Sequence, residues 1–128
     1  MSGETSLAKL LATMSPQRRP GQYVFVTVAS YPKGAEVLAS VVEHEGLSVV
    51  LTQDDADRLG LAYDYVAGWI TLQVHSALAA VGLTAAVSAA LTEANISCNV
   101  VAGHHHDHLL VPAHRIDDAI FILRSLTD

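Results

Sequence analysis

The spacing of apolar residues changes several times along this chain, and each spacing predicts an element. Leu7, Leu10, Leu11 and Met14 recur at helical intervals, which predicts a short amphipathic helix at the start. Pro16 and the run Arg18-Arg19-Pro20-Gly21 break it. Tyr23-Val24-Phe25-Val26-Thr27-Val28 then reads as a strand, because β-branched and aromatic side chains suit a pleated surface. Tyr31-Pro32-Lys33-Gly34 punctuates again.

From Val37 to Thr52 two patterns compete. Val37, Leu38, Val41 and Val42 would suit one helix face. The same stretch also reads as two Val-rich strands around His44-Glu45-Gly46, and the turn conformation open to Gly46 favours this hairpin. Gln53 to Leu59 opens with Asp54 and Asp55, the charge order a short helix prefers at its positive end. Leu61 to Gly68 connects the two halves.

The second half alternates more cleanly. Ile70, Leu72 and Val74 fall on one face of a strand, and Thr71, Gln73 and His75 on the other. A helix from about Leu83 to Asn95 follows Gly82, with Leu83, Ala86, Val87, Ala90, Leu91 and Ala94 as its apolar stripe. Ile96 to Ala102 and Leu109 to Val111 read as strands separated by a turn at Gly103. Ile116, Ala119, Ile120 and Leu123 mark the core face of a last helix. The order β-α-β-β-α supplies five of the six elements of an α+β, ferredoxin-like βαββαβ unit. The sixth has to come from the first half, and Tyr23 to Val28 is the candidate.

Composition narrows the partners. Of 128 residues, 51% are hydrophobic and 16% charged, which excludes a disordered tail. No apolar run approaches the roughly 18 to 20 residues of a membrane span. A net charge of −6, seven basic residues and few aromatics leave neither a phosphate-tracking face nor a base-stacking platform, so nucleic acid and membrane are not expected partners. The Met-Ser-Gly-Glu start lacks a secretory signal, and a lone Cys98 forms no internal disulfide, so a cytoplasmic location is expected.

The runs Ile70-Thr71-Leu72-Gln73-Val74-His75-Ser76, Ala80 to Ser88 and Ile96 to Gly103, with the acidic Glu43-His44-Glu45-Gly46 turn, resemble the small stand-alone ACT-domain proteins. These are related to aspartate kinase regulatory domains and to arginine-sensing tandem ACT proteins. The resemblance implies tandem ACT-like modules, 1–64 and 65–128, intertwined in one antiparallel sheet covered by helices on one face. It implies a homodimer that binds a small effector such as an amino acid, acting as a regulatory, allosteric module. Mapped on this chain, the ligand loop is His75 to Leu83 and the adjoining strand centres on Asn99. The expected ligand contacts are therefore His75, Ser76, Val81, Gly82, Leu83, Asn99 and Val100.

The residues themselves support part of that site. A helix starting at Gly82-Leu83-Thr84 presents unpaired N–H groups and the positive end of its dipole to an anion. Gly82 lets a carboxylate approach the backbone, and Ser76 and Asn99 add polar contacts. The bland alternative is an ordinary strand-to-helix turn. The run His104-His105-His106-Asp107-His108 offers a competing metal site, with His104 and His106, or His106 and His108, on one face of an extended chain. Its plain alternative is an imidazole-rich polar turn. Cys98 reads as a small buried thiol, although a pairing with His75 and an Asp is conceivable on paper. No phosphate-cradling Gly-rich loop is present, and no cofactor is expected. Three functions follow: a non-enzymatic effector-binding module, a His-cluster metal protein, or a bare assembly module without ligand.

Overall fold

A computed structural model describes residues 6–74 and 81–127 of the chain. The elements in order are α1 (Leu7–Thr13), β1 (Ser15–Val28), β2 (Ala39–Glu43), β3 (Gly46–Thr52), α2 (Gln53–Arg58), β4 (Val66–Gln73), α3 (Leu83–Glu93), β5 (Asn99–Ala102), β6 (Asp107–Pro112) and α4 (Ile116–Ser125), the last preceded by a 3-10 turn at Ala113–Arg115. They form two compact units, one of Met1–Arg19 with Gly68–Asp128, the other of Pro20–Ala67. The units interleave along the chain rather than meeting at a single cut, and β1 and β4 each contribute residues to both.

In the smaller unit the strand order is β2-β3-β1. β1 pairs antiparallel with β3 from Tyr23↔Thr52 to Val28↔Leu47, and β2 pairs antiparallel with β3 from Ala39↔Val50 to Glu43↔Gly46. The hairpin reading of Val37 to Thr52 therefore holds, with His44 and Glu45 as its turn. Gly46 takes φ +145°, and a Cβ there would lie 2.9 Å from the Thr27 methyl and 3.2 Å from the Val28 carbonyl oxygen. Val24, Val26, Val49, Leu51 and Ala56 bury together as this unit's core. The Thr52 hydroxyl accepts from the Asp55 N–H at 3.1 Å and starts α2. Arg58 in its last turn donates to the Asp55 carboxylate at 2.7 Å and to the Gly34 carbonyl at 2.6 Å, which ties the loop after β1 to the helix.

The strand expected to begin at Tyr23 begins at Ser15. Pro16, Pro20 and Gly21 do not end the extended chain. A proline withholds one ladder donor, which an extended segment tolerates wherever that donor is not needed.

In the larger unit the strand order is β1-β4-β6-β5, with α3 as the crossover from β4 to β5 and α4 as the last element, after β6. That is the ferredoxin-like βαββαβ arrangement, with β1 supplying the sixth strand. The larger unit takes the start of β1, up to Arg19, and not the expected Tyr23–Val28, which belongs to the smaller unit and pairs with β3. Ile70 and Leu72 of β4, and Val74 just after it, face a core built with Leu10 and Met14, with Leu83, Val87 and Leu91 of α3, and with Ile116, Ala119, Ile120 and Leu123 of α4. Each fully buried aliphatic side chain contributes about 1.5–3 kcal/mol relative to exposure. α3 ends at Glu93, two residues before the expected Asn95. Asn95 takes the left-handed φ of 59°, and the Ile96 N–H donates back to the Leu91 carbonyl at 2.9 Å, an ending of the Schellman kind.

Candidate functional site

The positive end of α3 differs from those of α2 and α4. α2 carries Asp54 and Asp55 in its first turn, and α4 carries Asp117 and Asp118. α3 has no acidic residue there, and its N-cap, Gly82, supplies no side-chain acceptor. The Ala86 N–H makes the first helical bond, to the Gly82 carbonyl at 2.8 Å. The N–H groups ahead of it therefore point out of the helix with nothing from α3 to receive them. Gly82 takes φ +105°, a conformation that L side chains rarely adopt. A Cβ at Gly82 would also meet the Leu7 side chain at 3.1 Å, because α1 packs against this end of α3. Glycine here is fixed by the turn and by Leu7, beyond any need of a ligand.

The expected site residues divide into three groups. His75 and Ser76 lie outside the described residues. Val81, Gly82 and Leu83 sit together at the junction of β4 and α3. Val81 is 83% exposed, whereas the Leu83 side chain turns into the core and offers only its backbone. Asn99 and Val100 are not brought to that junction. Asn99 pairs with Leu110, three strand steps or about 10 Å from Ala102, and stands at the far end of β5. Val100 packs on the helix-covered core, so its exposed neighbour Asn99 points to the opposite face of the sheet.

The histidine run also separates. β5 and β6 close around it, with Ala102 opposite Asp107 and the Gly103 N–H donating to the His106 carbonyl at 2.9 Å. His104 and His105 are exposed on the turn, their rings 4.8 Å apart. His106 directs Nδ1 toward the Val74 carbonyl at 3.4 Å, and His108 places Nδ1 3.0 Å from the Thr71 hydroxyl. Among the described residues no group of three His, Cys, Asp or Glu side chains converges as a metal site would need.

What the cross-strand register does assemble is a polar chain on the helix-free face of the sheet. The Trp69 indole N–H donates to Thr71 Oγ1 at 3.0 Å, and Thr71 bonds His108. The Trp69 and His108 rings lie 5.3 Å apart, and the Arg19 guanidinium sits 5.6 Å from the centre of the Trp69 ring. Burial holds the His108 imidazole below the usual histidine range. The charges of His106 and Arg19 add to that effect, and Asp107 opposes it. The neutral ring suits a Thr71 hydroxyl that accepts from Trp69 and donates to Nδ1. Thr71 is legible in the sequence as a polar-face residue and Trp69 as its neighbour two positions away on the same face, but His108 becomes visible only through strand register. Cys98 is half-buried against the core, and burial pushes its thiol up, away from the thiolate a nucleophile requires.

Two family models match the chain in tandem, each described as an ACT domain, one over residues 2–68 and the other over 65–125. The chain belongs to the ACT-domain family. ACT domains are in general ligand-binding regulatory modules, and no catalytic domain is evident beside these two. A Vibrio cholerae protein of unknown function, described as a possible transport protein, is 40% identical, with 97% of this chain and 98% of that one covered at a TM-score of 0.87. An Agrobacterium tumefaciens protein is 19% identical over 89% of both chains at 0.69. The ligand-free regulatory subunit of aspartate kinase from Thermus thermophilus shares the fold at 0.68, with 7% identity over 92% of this chain and 99% of that one. No curated protein matches the sequence. No helix among the described residues is long and apolar enough to cross a membrane.

Proposed function

We propose that this chain is an amino-acid-binding regulatory module, without catalytic activity, built of two ACT-like modules in residues 1–64 and 65–128. The effector's carboxylate binds at the start of α3, against the backbone N–H groups that follow Gly82. One observation carries this reading: α3 alone among the three helices that follow a strand in the fold has neither an acidic first turn nor a side-chain cap. An external anion completes what Asp54–Asp55 and Asp117–Asp118 complete internally elsewhere. Val81 lies beside it as an exposed apolar contact. This reading leaves out Asn99 and Val100, which lie at the start of β5.

Ligand acts here by population shift, favouring one packing of modules or subunits over another. The test is a thermal-shift screen of untagged protein against the twenty amino acids, with and without chelator. A ligand that binds only the folded chain raises Tm by mass action. The decisive variant is Thr84→Glu, at an exposed site in the first turn of α3. Its carboxylate satisfies the helix end, so the variant should gain about 0.3–1 kcal/mol of stability, melt higher, and lose the amino-acid shift. Gly82→Asp is a poorer choice, because the left-handed backbone strains any side chain there. Retention of the full shift in Thr84→Glu would place the ligand elsewhere. A flat screen with a drop in chelator would transfer the function to the histidines, and a flat screen in both would leave assembly.

A further inference from the structure

A second cleft opens at the other end of α3, away from Gly82. The helix has 11 residues and is therefore about 16 Å long, so the two places are separate. Thr92, Asn95 and Ser97 from the close of α3, and His114 and Arg115 from the turn before α4, line a volume of about 430 Å³. All of them belong to the larger unit. Arg115 is the one residue of the lining with a permanent charge, and the lining has no carboxylate side chain. Its guanidinium is held from two sides: Nε donates to the Asp118 carboxylate at 3.0 Å and Nη2 to the Ala94 carbonyl at 3.3 Å. Among the described residues Nη1 has no partner, and the Asn95 amide, the Thr92 hydroxyl and the His114 ring make no hydrogen bond within the chain. Two hydrogen bonds thus orient the arginine before any ligand arrives, which reduces the side-chain ordering that binding would otherwise cost.

We propose that this cleft binds a small hydroxycarboxylate, with its acid group on Arg115 Nη1 and its hydroxyls on the Asn95 amide, the Thr92 hydroxyl and the His114 ring. The guanidinium asks for an anion. Amide, hydroxyl and imidazole offer donors and acceptors together, which is what a ligand hydroxyl needs, and an acid without hydroxyls leaves them unused. An α-amino acid brings an ammonium group for which the lining holds no counter-charge. A phosphate ester brings a second negative charge to a single arginine in a chain of net charge −6, so the monoanion is preferred. The cleft therefore selects against the ligand class proposed for the start of α3, and it stands whether or not an amino acid binds there.

A two-dimensional NMR titration of the intact chain tests it, with glycerate, propionate, alanine and glycerol 3-phosphate at matched ionic strength. Glycerate should shift the backbone amides of Asn95, Ser97 and Arg115 and the Arg115 Nε–H saturably, and bind about tenfold tighter than the other three. Arg115→Gln should weaken glycerate about tenfold or more by removing a charged donor. Asn95→Gly removes the amide at a left-handed position that glycine accepts, so it should weaken binding about threefold with the far-UV circular dichroism unchanged. If Arg115→Gln does not fold, Asn95→Gly and Thr92→Val decide. Thr84→Glu, the variant that should lose the amino-acid shift, should leave glycerate affinity intact, so the two readings fail separately. Absence of a saturable shift overturns the proposal, as does equal affinity for propionate, which would mean a non-specific anion effect. Tighter binding of glycerol 3-phosphate overturns the carboxylate assignment. Shifts centred on Leu83 and Thr84, or affinity unchanged in the variants of this cleft, overturn the site.

Discussion

Replacing Gly68 with alanine tests how closely α4 sits on the sheet. Gly68 belongs to the helix-facing side of β4, in step with Ile70, Leu72 and Val74. A Cβ built there would lie 2.4 Å from Ile116 Cδ1 and 3.1 Å from Ile116 Cβ and Cγ1. No real Cβ tolerates the first distance, and Ile116 is itself 4% exposed, so the isoleucine has little room to turn away. Overpacking of this kind costs about 1–3 kcal/mol. For a chain of this size that corresponds to a fall in Tm of roughly 3–15 °C. The partner substitution makes the reasoning specific. Ile116→Val alone should cost about 0.5–1.5 kcal/mol by loss of burial. In the Gly68→Ala background it removes the methyl responsible for the shortest contact. The double variant should then be more stable than the sum of the two losses allows, by about 1 kcal/mol. Urea denaturation at unchanged slope reads all four corners of the cycle. Additive losses, or a Gly68→Ala chain within about 0.5 kcal/mol of the parent, would show that α4 has slack over β4 and refute the argument.

Two further outcomes follow from the local chemistry. Thr52→Ala removes the hydroxyl that receives the Asp55 N–H and should cost about 1 kcal/mol by urea midpoint, while Thr52→Ser should recover most of it. His108 titrates lower in the folded chain than its ordinary 6.5, so the unfolded chain takes up the proton first as pH falls. Stability is therefore full above that value and declines as pH drops through it toward the folded-state pKa. His108→Gln should flatten this part of the profile in urea midpoints taken from about pH 8 to about pH 5, and an unchanged slope would assign the proton to another histidine.

Much of the fold is legible because burial on one side of an element leaves a period in the sequence. The alternation of Ile70, Leu72 and Val74 and the stripe of Leu83, Val87 and Leu91 both become core faces. The Val-rich hairpin is legible for another reason, the glycine at its turn. The early start of β1 is not legible, because Pro16, Pro20 and Gly21 signal a break when read locally, and the sheet that keeps them extended is non-local. The same distinction runs through the site. The bare end of α3 shows in the sequence as Gly82 followed by a first turn without acid. The separation of Asn99 from it depends on the pairing of Asn99 with Leu110, which sequence spacing does not reveal. Leu7, which occupies the space beside Gly82, stands 75 positions earlier and carries no local sign of that role.

The interleaving of the two compact units bears on how the protein is made. Synthesis delivers the segment up to Arg19 well before the rest of its unit, which begins only at Gly68. Residues 20–67 are contiguous and can pair β1 with β3 and β2 while the ribosome is still adding the remainder. Leu10 and Met14, by contrast, leave the ribosome as apolar side chains whose core partners do not yet exist. That interval exposes these side chains to chaperones and to other nascent chains, and a slower rate of elongation lengthens it.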